Sequence, residues 1–482
     1  MKRALTYILS LLLLAAAVQV AAQQSEGSKI IAQFQYPDLK WSVPEVGKEV
    51  QRTVLDNGLI VYLMEDHRLP MLSVTALVRC GEAYVSEQDM AIPEITGDVM
   101  RTGGTTHIPP DSLNALLESI GGSLESSIGY DNGRATLSVM SKDTDLGMEL
   151  LADLLRNPAF PQDKIDLNKD QMKTDIKRRN DDPRSILSRE FSHLLYGDHP
   201  EGRILEWAEV KPVTRQDLVD YHGRYFVPNN IMIGITGDFD SGEMLSLVKK
   251  YFGDWEKRDV ELPAIPAVKA KPKPGVFLIR KDINQANIRF GHLGIDRDNP
   301  DRYAVSVMNY ILGGGSFTSR MTSKVRSDKG LAYSVGSRYD IDQPDEGTFY
   351  ADCYTKSRTT HIAMRLMLDE VARIRQGEVS DEELASAKDS YINRFVFDFT
   401  SPEQIVSRLM SLEFDNRPPD LLKNYIDNIR KVTREDVLRV ARKYLRPEDI
   451  TFVVVGNPDT FEKPLDDFGP ITTVELTDPE LD

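Results

Sequence analysis

Arg326 and Tyr333 stand seven residues apart with Gly330 between them. Arg carries a permanently charged fork of donors and Tyr a further O–H, the groups that stabilise a negative oxygen where water is scarce. Neither hydrolyses a bond by itself. Taken as an arbitrary pair, they would be a surface charge and a half-buried strand aromatic. The histidines offer less: His193 and His199 are six apart, which suits neither i+3 nor i+4 on a helix face, and His67, His107, His222, His292 and His361 are scattered singly. No metal is assigned to the chain on these residues. Gly313, Gly314 and Gly315 lack the Lys-Ser/Thr of a phosphate loop and read as a helix-ending turn where backbones approach closely.

The elements that must hold such groups repeat. A gap-free offset of 219 places Val213, Thr214, Arg215, Gln216 and Asp217 on Val432, Thr433, Arg434, Glu435 and Asp436, and Tyr225, Pro228 and Gly237 on Tyr444, Pro447 and Gly456. The chain is a tandem duplication. In each copy Thr214 or Thr433 caps a helix whose third position is Asp217 or Asp436, and an apolar, β-rich run follows at 231–236 or 450–455. Residues 59–63 and 72–78 read as adjacent strands, entered through the turn residues Asp56, Asn57 and Gly58. Asp111 precedes Leu113, Leu116, Leu117 and Ile120, the pattern of a capped amphipathic helix stopped at Gly121 and Gly122. Ser380 with Glu383 opens another. Prolines 263, 266, 272 and 274 mark an extended spacer between the copies.

With 482 residues, 41% apolar and 28% charged, the chain is globular and too long for one core. Its 75 acidic against 59 basic residues give a net charge of -16, the wrong sign for tracking phosphates, which argues against nucleic acid as a partner. Lys2 and Arg3 lead an apolar stretch at 4–18 that ends in Val20, Ala21 and Ala22, the form of a signal peptide cleaved after Ala22. That stretch falls short of the roughly 20 residues of a bilayer span and is interrupted by Thr6 and Ser10. The expectation is an exported chain, periplasmic in a bacterium, with no membrane anchor after cleavage. Cys80 and Cys353 each lie in an apolar, strand-like stretch and read as buried free thiols.

Over residues 50–458 the chain resembles the insulinase/pitrilysin-type metallopeptidases, the inverted zincins, in their bacterial two-domain form. The resemblance is carried by Leu55-Asp56-Asn57-Gly58-Leu59, Gly103-Gly104-Thr105, Asp198-His199-Pro200, Tyr225-Phe226-Val227-Pro228-Asn229-Asn230 and the three glycines at 313–315. Most specific is Ser319-Arg320 followed by Arg326-Ser327-Asp328-Lys329-Gly330-Leu331-Ala332-Tyr333-Ser334-Val335, similar to the family's second-domain signature. Active members carry H-x-x-E-H, two imidazoles four apart for zinc with a Glu to activate its water. Counted back from Gly104 and Thr105, the His positions fall here on Ile95 and Val99 and the Glu position on Asp98, with Asp175 at the third ligand's place. No histidine lies between His67 and His107, so no shift of register restores the motif. Asp98 and Asp175 could still form an acid/base pair.

The resemblance implies an α+β fold of two homologous domains, each an antiparallel-rich sheet covered by helices on one face, together forming half of a clam-like chamber. The expected organisation is signal peptide 1–22, N-terminal extension 23–49, first domain 50–262 with a degenerate zinc site, linker 263–274, second domain 275–460 and acidic tail 461–482. It further implies a non-catalytic subunit, inactive alone, whose Arg326 and Tyr333 bind substrate and oxyanion in the active site of an H-x-x-E-H partner. Zinc is expected in that partner, a heterodimer with it, and extended peptides, added as a strand to a sheet edge, as substrate. Two other readings remain: a peptide-binding or assembly protein with no part in hydrolysis, and an independent metallopeptidase with unforeseen ligands.

Overall fold

The computed structural model describes residues 42–481. The expected signal peptide, 1–22, and residues 23–41 of the expected extension lie outside them. The chain is α+β and has two domains, each built on a six-stranded sheet. The first sheet contains β1 (Gln51–Val54), β2 (Ile60–Glu65), β3 (Met71–Val78), β4 (Ser123–Ile128), β5 (Gly133–Met140) and β6 (Ile231–Gly237) in the order β1-β2-β6-β3-β5-β4. The second contains β7 (Gly275–Arg280), β8 (Gln285–Leu293), β9 (Ala332–Tyr339), β10 (Thr348–Lys356), β11 (Thr451–Gly456) and β12 (Ile471–Thr473) in the order β12-β7-β11-β8-β10-β9. In each sheet the last long strand returns to the centre, parallel to the first long strand and antiparallel to the second.

Local chemistry explains most of the boundaries. Gly58 turns with φ at 88°, and a side chain there would run into Asn229, so the Asp56–Gly58 turn needs a glycine for conformation and for space. The helices Arg215–Tyr225 and Arg434–Tyr444 both open with the reciprocal Thr–Asp capping box, and Asp381–Val396 opens with Ser380 and Glu383. The helix Pro110–Ile120 departs from expectation. Its cap position is Pro109, with Pro110 inside the first turn and Asp111 acting only as a negative charge near the helix's positive end. It stops at Gly121, left-handed at φ 61°, as its sequence predicts.

Each central strand is buried on both faces. One face of β6 presents Ile231, Ile233 and Ile235 to the helices of its own domain. On the other face lies the helix Pro402–Phe414 from the second domain, so close that a Cβ on Gly234 would overlap Met410 Sδ and Val406 Cγ1. The reverse also holds. Helix Pro183–Tyr196 of the first domain lays Ile186, Leu187, Phe191 and Leu195 onto Ile279, Val453 and Val455, while Phe452 and Val454 face the second domain's own core. Pro183 and Pro402 are themselves related by the 219-residue offset, so the two copies exchange equivalent helices.

The segments outside the repeat also dock. Residues 254–274 carry no regular structure, yet Val268 joins the exchanged-helix cluster and its N–H donates to Asp345 at 2.6 Å. The segment read as an acidic tail supplies β12, parallel to β7, and then crosses to the first domain, where Thr477 O accepts from Asn180 and Leu481 meets the core. Cys80 and Cys353 are buried and free. Among the described residues no helix is long and apolar enough to cross a membrane.

The exchanged contact is testable. Gly234→Val should cost on the order of 1–3 kcal/mol by overpacking, and Met410→Ala in the same chain should recover part of that loss. The urea midpoint of the single and double variants reads this out; no recovery would mean that the two side chains do not meet.

Candidate functional site

The helix Ala91–Thr102 occupies the place of the zinc helix. Ile95 and Val99 are both 0% exposed and belong to the first domain's core, so the volume two imidazoles would need is filled with hydrocarbon. Asp98, on the same helix, accepts from Asn168 Nδ2 at 3.1 Å on the neighbouring helix Gln162–Arg178. Burial raises the Asp98 carboxyl pKa, and the Asn168 bond opposes that. A carboxylate missed by sequence reasoning, Glu94, lies one turn earlier. Water reaches it, but the surrounding protein withholds solvation and pushes its pKa up, and the charges of Asp98 and Asp175 push the same way. Its only signal in the sequence was the i, i+4 spacing from Asp98. Three carboxylates thus gather at this locus, but among the described residues no group of three His, Cys, Asp or Glu can hold a metal ion. These residues do not fit catalytic zinc.

The remaining histidines are committed elsewhere. His199 Nδ1 accepts from Glu201 N–H, which leaves Nε2 to donate to Pro266 O at 2.8 Å. His193 Nδ1 is spent on Gly202 O. His222 and His292 are buried and held down to about 4 by burial, so both are neutral at ordinary pH. Where the two domains meet, Glu201 is pushed up to about 7, first by burial and then by Asp340, Glu82 and Asp131.

Arg326 and Tyr333 are brought together by irregular backbone. Arg326 lies in the π-helical turn Thr322–Asp328, a geometry frequent at functional sites. The chain reverses at Gly330, left-handed at φ 62°, where Gly330 N–H reaches back to Arg326 O and Leu331 N–H to Val325 O. In β9 the register slips: Ser334 pairs with Tyr354 and Ala332 with Thr355, which leaves Tyr333 as the extra residue of a bulge. The bulge re-aims its ring, which is 81% exposed rather than half-buried. The Arg326 guanidinium carbon sits 5.2 Å from the Tyr333 ring centre and 4.6 Å from that of Phe317. No carboxylate or carbonyl among the described residues pairs with its N–H groups. Gly313 approaches β9 closely, as read from the sequence: a Cβ there would overlap Ser337.

Both outer edge strands are partly taken up by neighbours. On β4, Leu124 O accepts from Arg101, and Ser126 Oγ bonds Gly97 O at 2.6 Å. On β9, Val335 O accepts from Thr322 Oγ1 at 3.0 Å. The start of β9, at Tyr333 and Ser334, is exposed.

Comparison with known proteins agrees with this architecture. Residues 98–208 match the model of the insulinase family (peptidase family M16), and residues 212–391 match that of the peptidase M16 inactive domain. An uncharacterized zinc protease of Mycobacterium leprae is 28% identical over 82% of this chain and 89% of its own length. One of Bacillus subtilis is 23% identical over 84% and 98%. The crystal structure of a peptidase M16 inactive domain from Pseudomonas fluorescens superposes with a TM-score of 0.77 at 25% identity, covering 86% of this chain and 100% of that one. The periplasmic protease PqqL of Escherichia coli shares the fold with a TM-score of 0.72 at 15% identity, over 88% of this chain and 47% of that one. The chain belongs to the insulinase family, with a zinc locus that lacks its ligands.

Two measurements bear on the site. Elemental analysis of the purified chain should return no stoichiometric zinc, and a chelator should leave its melting temperature unchanged; one zinc per chain would point to ligands outside this locus. Glu201 titrates near 7 folded and near 4.5 unfolded, so the folded state binds the extra proton between these values and stability falls as pH rises through 7. Glu201→Gln should therefore stabilise the chain at pH 8 and make little difference near pH 4.5, as read by denaturant midpoints at the two pH values.

Proposed function

We propose that this chain is the non-catalytic subunit of a zinc metallopeptidase of the insulinase type. It would complete the active site of an H-x-x-E-H homologue with Arg326 and Tyr333. The observation that carries the reading is a contrast between the two domains. At the zinc locus Ile95 and Val99 are sealed in the core, whereas Tyr333 stands exposed beside a half-buried Arg326 whose N–H donors have no partner among the described residues. A chain that kept only its core would have no use for a guanidinium unpaired among the described residues beside an 81% exposed tyrosine.

In this reading the two domains, 50–262 and 275–460 joined by 263–274, form half of a clam-like chamber, and the zinc-bearing partner forms the other half. An extended peptide lies between them. The partner's zinc polarises the scissile carbonyl and activates water. Arg326 and Tyr333 reach across as donors, toward the peptide backbone and the oxygen on which negative charge develops. The apolar N-terminal stretch directs export, so that the pair meets in the periplasm; the chain requires no cofactor of its own.

The test is hydrolysis of an extended peptide by the mature chain, by an H-x-x-E-H homologue, and by the two mixed, with and without a chelator. Chelator-sensitive turnover that the mixture alone supports is the expected result, and Arg326→Ala should cut it by about 10²-fold without dissociating the chains. Activity of the single chain would overturn the proposal in favour of an independent peptidase. Silence of the mixture would leave the chain as a peptide-binding protein.

A further inference from the structure

Phe317 stands beside the Arg326–Tyr333 pair and has no part in the function proposed above. Its ring is 64% exposed, an expensive way to leave a phenylalanine, yet it is held on the guanidinium at 4.6 Å. The backbone that presents it is strained: Ser316, the preceding residue, adopts φ 51°, a region that residues other than glycine enter only when their surroundings impose it. Those surroundings are visible. Thr318 Oγ1 donates to Gly315 O and the buried Ser319 donates its Oγ to Ser316 O, both at 2.8 Å, which pins the loop on either side of Phe317. A left-handed serine, a π-helical turn and a β-bulge therefore converge on three side chains. Two aromatic rings fix the guanidinium, and its N–H donors are unpaired among the described residues.

A fixed fork of unpaired donors matches the two oxygens of a carboxylate, and an exposed ring next to it matches an apolar side chain. Two other arginines that face aromatic rings are spent: Arg289 bonds Asp352, and Arg79 bonds Glu413 O. We propose that Phe317, Arg326 and Tyr333 form a receptor for the free carboxylate of a peptide that ends in an apolar residue. Arg326 and Tyr333 hold the carboxylate, and Phe317 is the wall that selects the terminal side chain. This rests on the same pair as the proposed function but asks less of it, since it needs neither a partner chain nor hydrolysis. If the function proposed above also holds, the bound carboxylate is that of the product whose carbonyl the pair stabilised during cleavage.

The test uses calorimetric titration of the mature single chain with short N-acetylated peptides ending in Phe or Gly, each as free acid and as amide. The Phe acid should bind roughly tenfold more tightly than the Phe amide, the size of one charge-assisted hydrogen-bonded pair. Arg326→Ala should abolish that difference. Phe317→Ala should erase the preference for Phe over Gly and keep the preference for acid over amide, and Phe317→Leu should restore selection for an apolar end. Equal binding of acid and amide, or no binding of either at millimolar peptide, overturns the receptor. Unchanged selectivity in Phe317→Ala overturns the role of the wall. None of these outcomes depends on the zinc-bearing homologue, so failure here and failure of the two-chain assay are separate results.

Discussion

The architecture depends on an exchange across the second face of each sheet. A six-stranded sheet with helices on one side leaves its other side apolar, and β6 and β11 are apolar on both sides. Neither copy covers that second face by itself. Helix Pro402–Phe414 does so for the first sheet and Pro183–Tyr196 for the second, and Gly234 is the residue that lets the first of these helices come close enough. Since each domain completes the other's burial, the two are locked into one compact unit. A polar network reinforces the first contact: Glu413 on the exchanged helix accepts from Arg52 and from Tyr62 on the first sheet. The linker and C-terminal segment, which dock on the second exchanged-helix cluster through Val268, Val474 and Leu476, extend the same seam.

That lock explains how a zinc locus could be lost without loss of fold. In an active site, histidines at two core-facing helix positions are costly unless a metal satisfies them. Replaced by Ile95 and Val99, the same positions become ordinary core and add to the burial that holds Ala91–Thr102 in place. Asp98 remains, held by Asn168, and with Asp175 it adds to the burial that raises the Glu94 pKa. The second domain has no such substitution. Its Arg326, Tyr333 and Phe317 lie on a π-helical turn, a bulge and the loop after a left-handed serine, and the same turn anchors itself by placing Val325 in the core.

Much of this was legible in the sequence, and the parts that were not share a cause. Capping boxes at Thr214, Thr433 and Ser380, the Gly58 turn and the 219-residue repeat are local or self-referential signals, and each appears where it was read. The family signature around 319–335 located Arg326 and Tyr333. The exchange of helices was invisible because nothing in the apolar faces of Pro183–Tyr196 and Pro402–Phe414 says which sheet they cover. The strand β12 was hidden in an acidic stretch, because three edge residues paired on one side need little hydrophobic pattern. Asp111 misled for a local reason: Pro109 and Pro110 start the helix two residues earlier than an aspartate cap at 111 would.

Phe317 and Glu94 were missed differently, and the difference separates the two ends of the chain's chemistry. Glu94 is a helix-face residue whose pKa is raised first by burial and then by two carboxylates, one on its own helix and one on a neighbouring helix, so most of its perturbation arises only on folding. Phe317 is an exposed aromatic in a loop, which sequence reading passes over as ordinary surface. Its significance rests on Ser316: a strained residue that aims a large apolar ring at a charge, in water, raises the free energy of the folded chain twice over. Burial does not account for such an arrangement, whereas at the zinc-helix position burial of Ile95 and Val99 accounts for the side chains present. The two domains thus differ in kind at corresponding ends of the repeat: the first closes its locus with buried hydrocarbon, and the second presents Tyr333 and Phe317 to solvent.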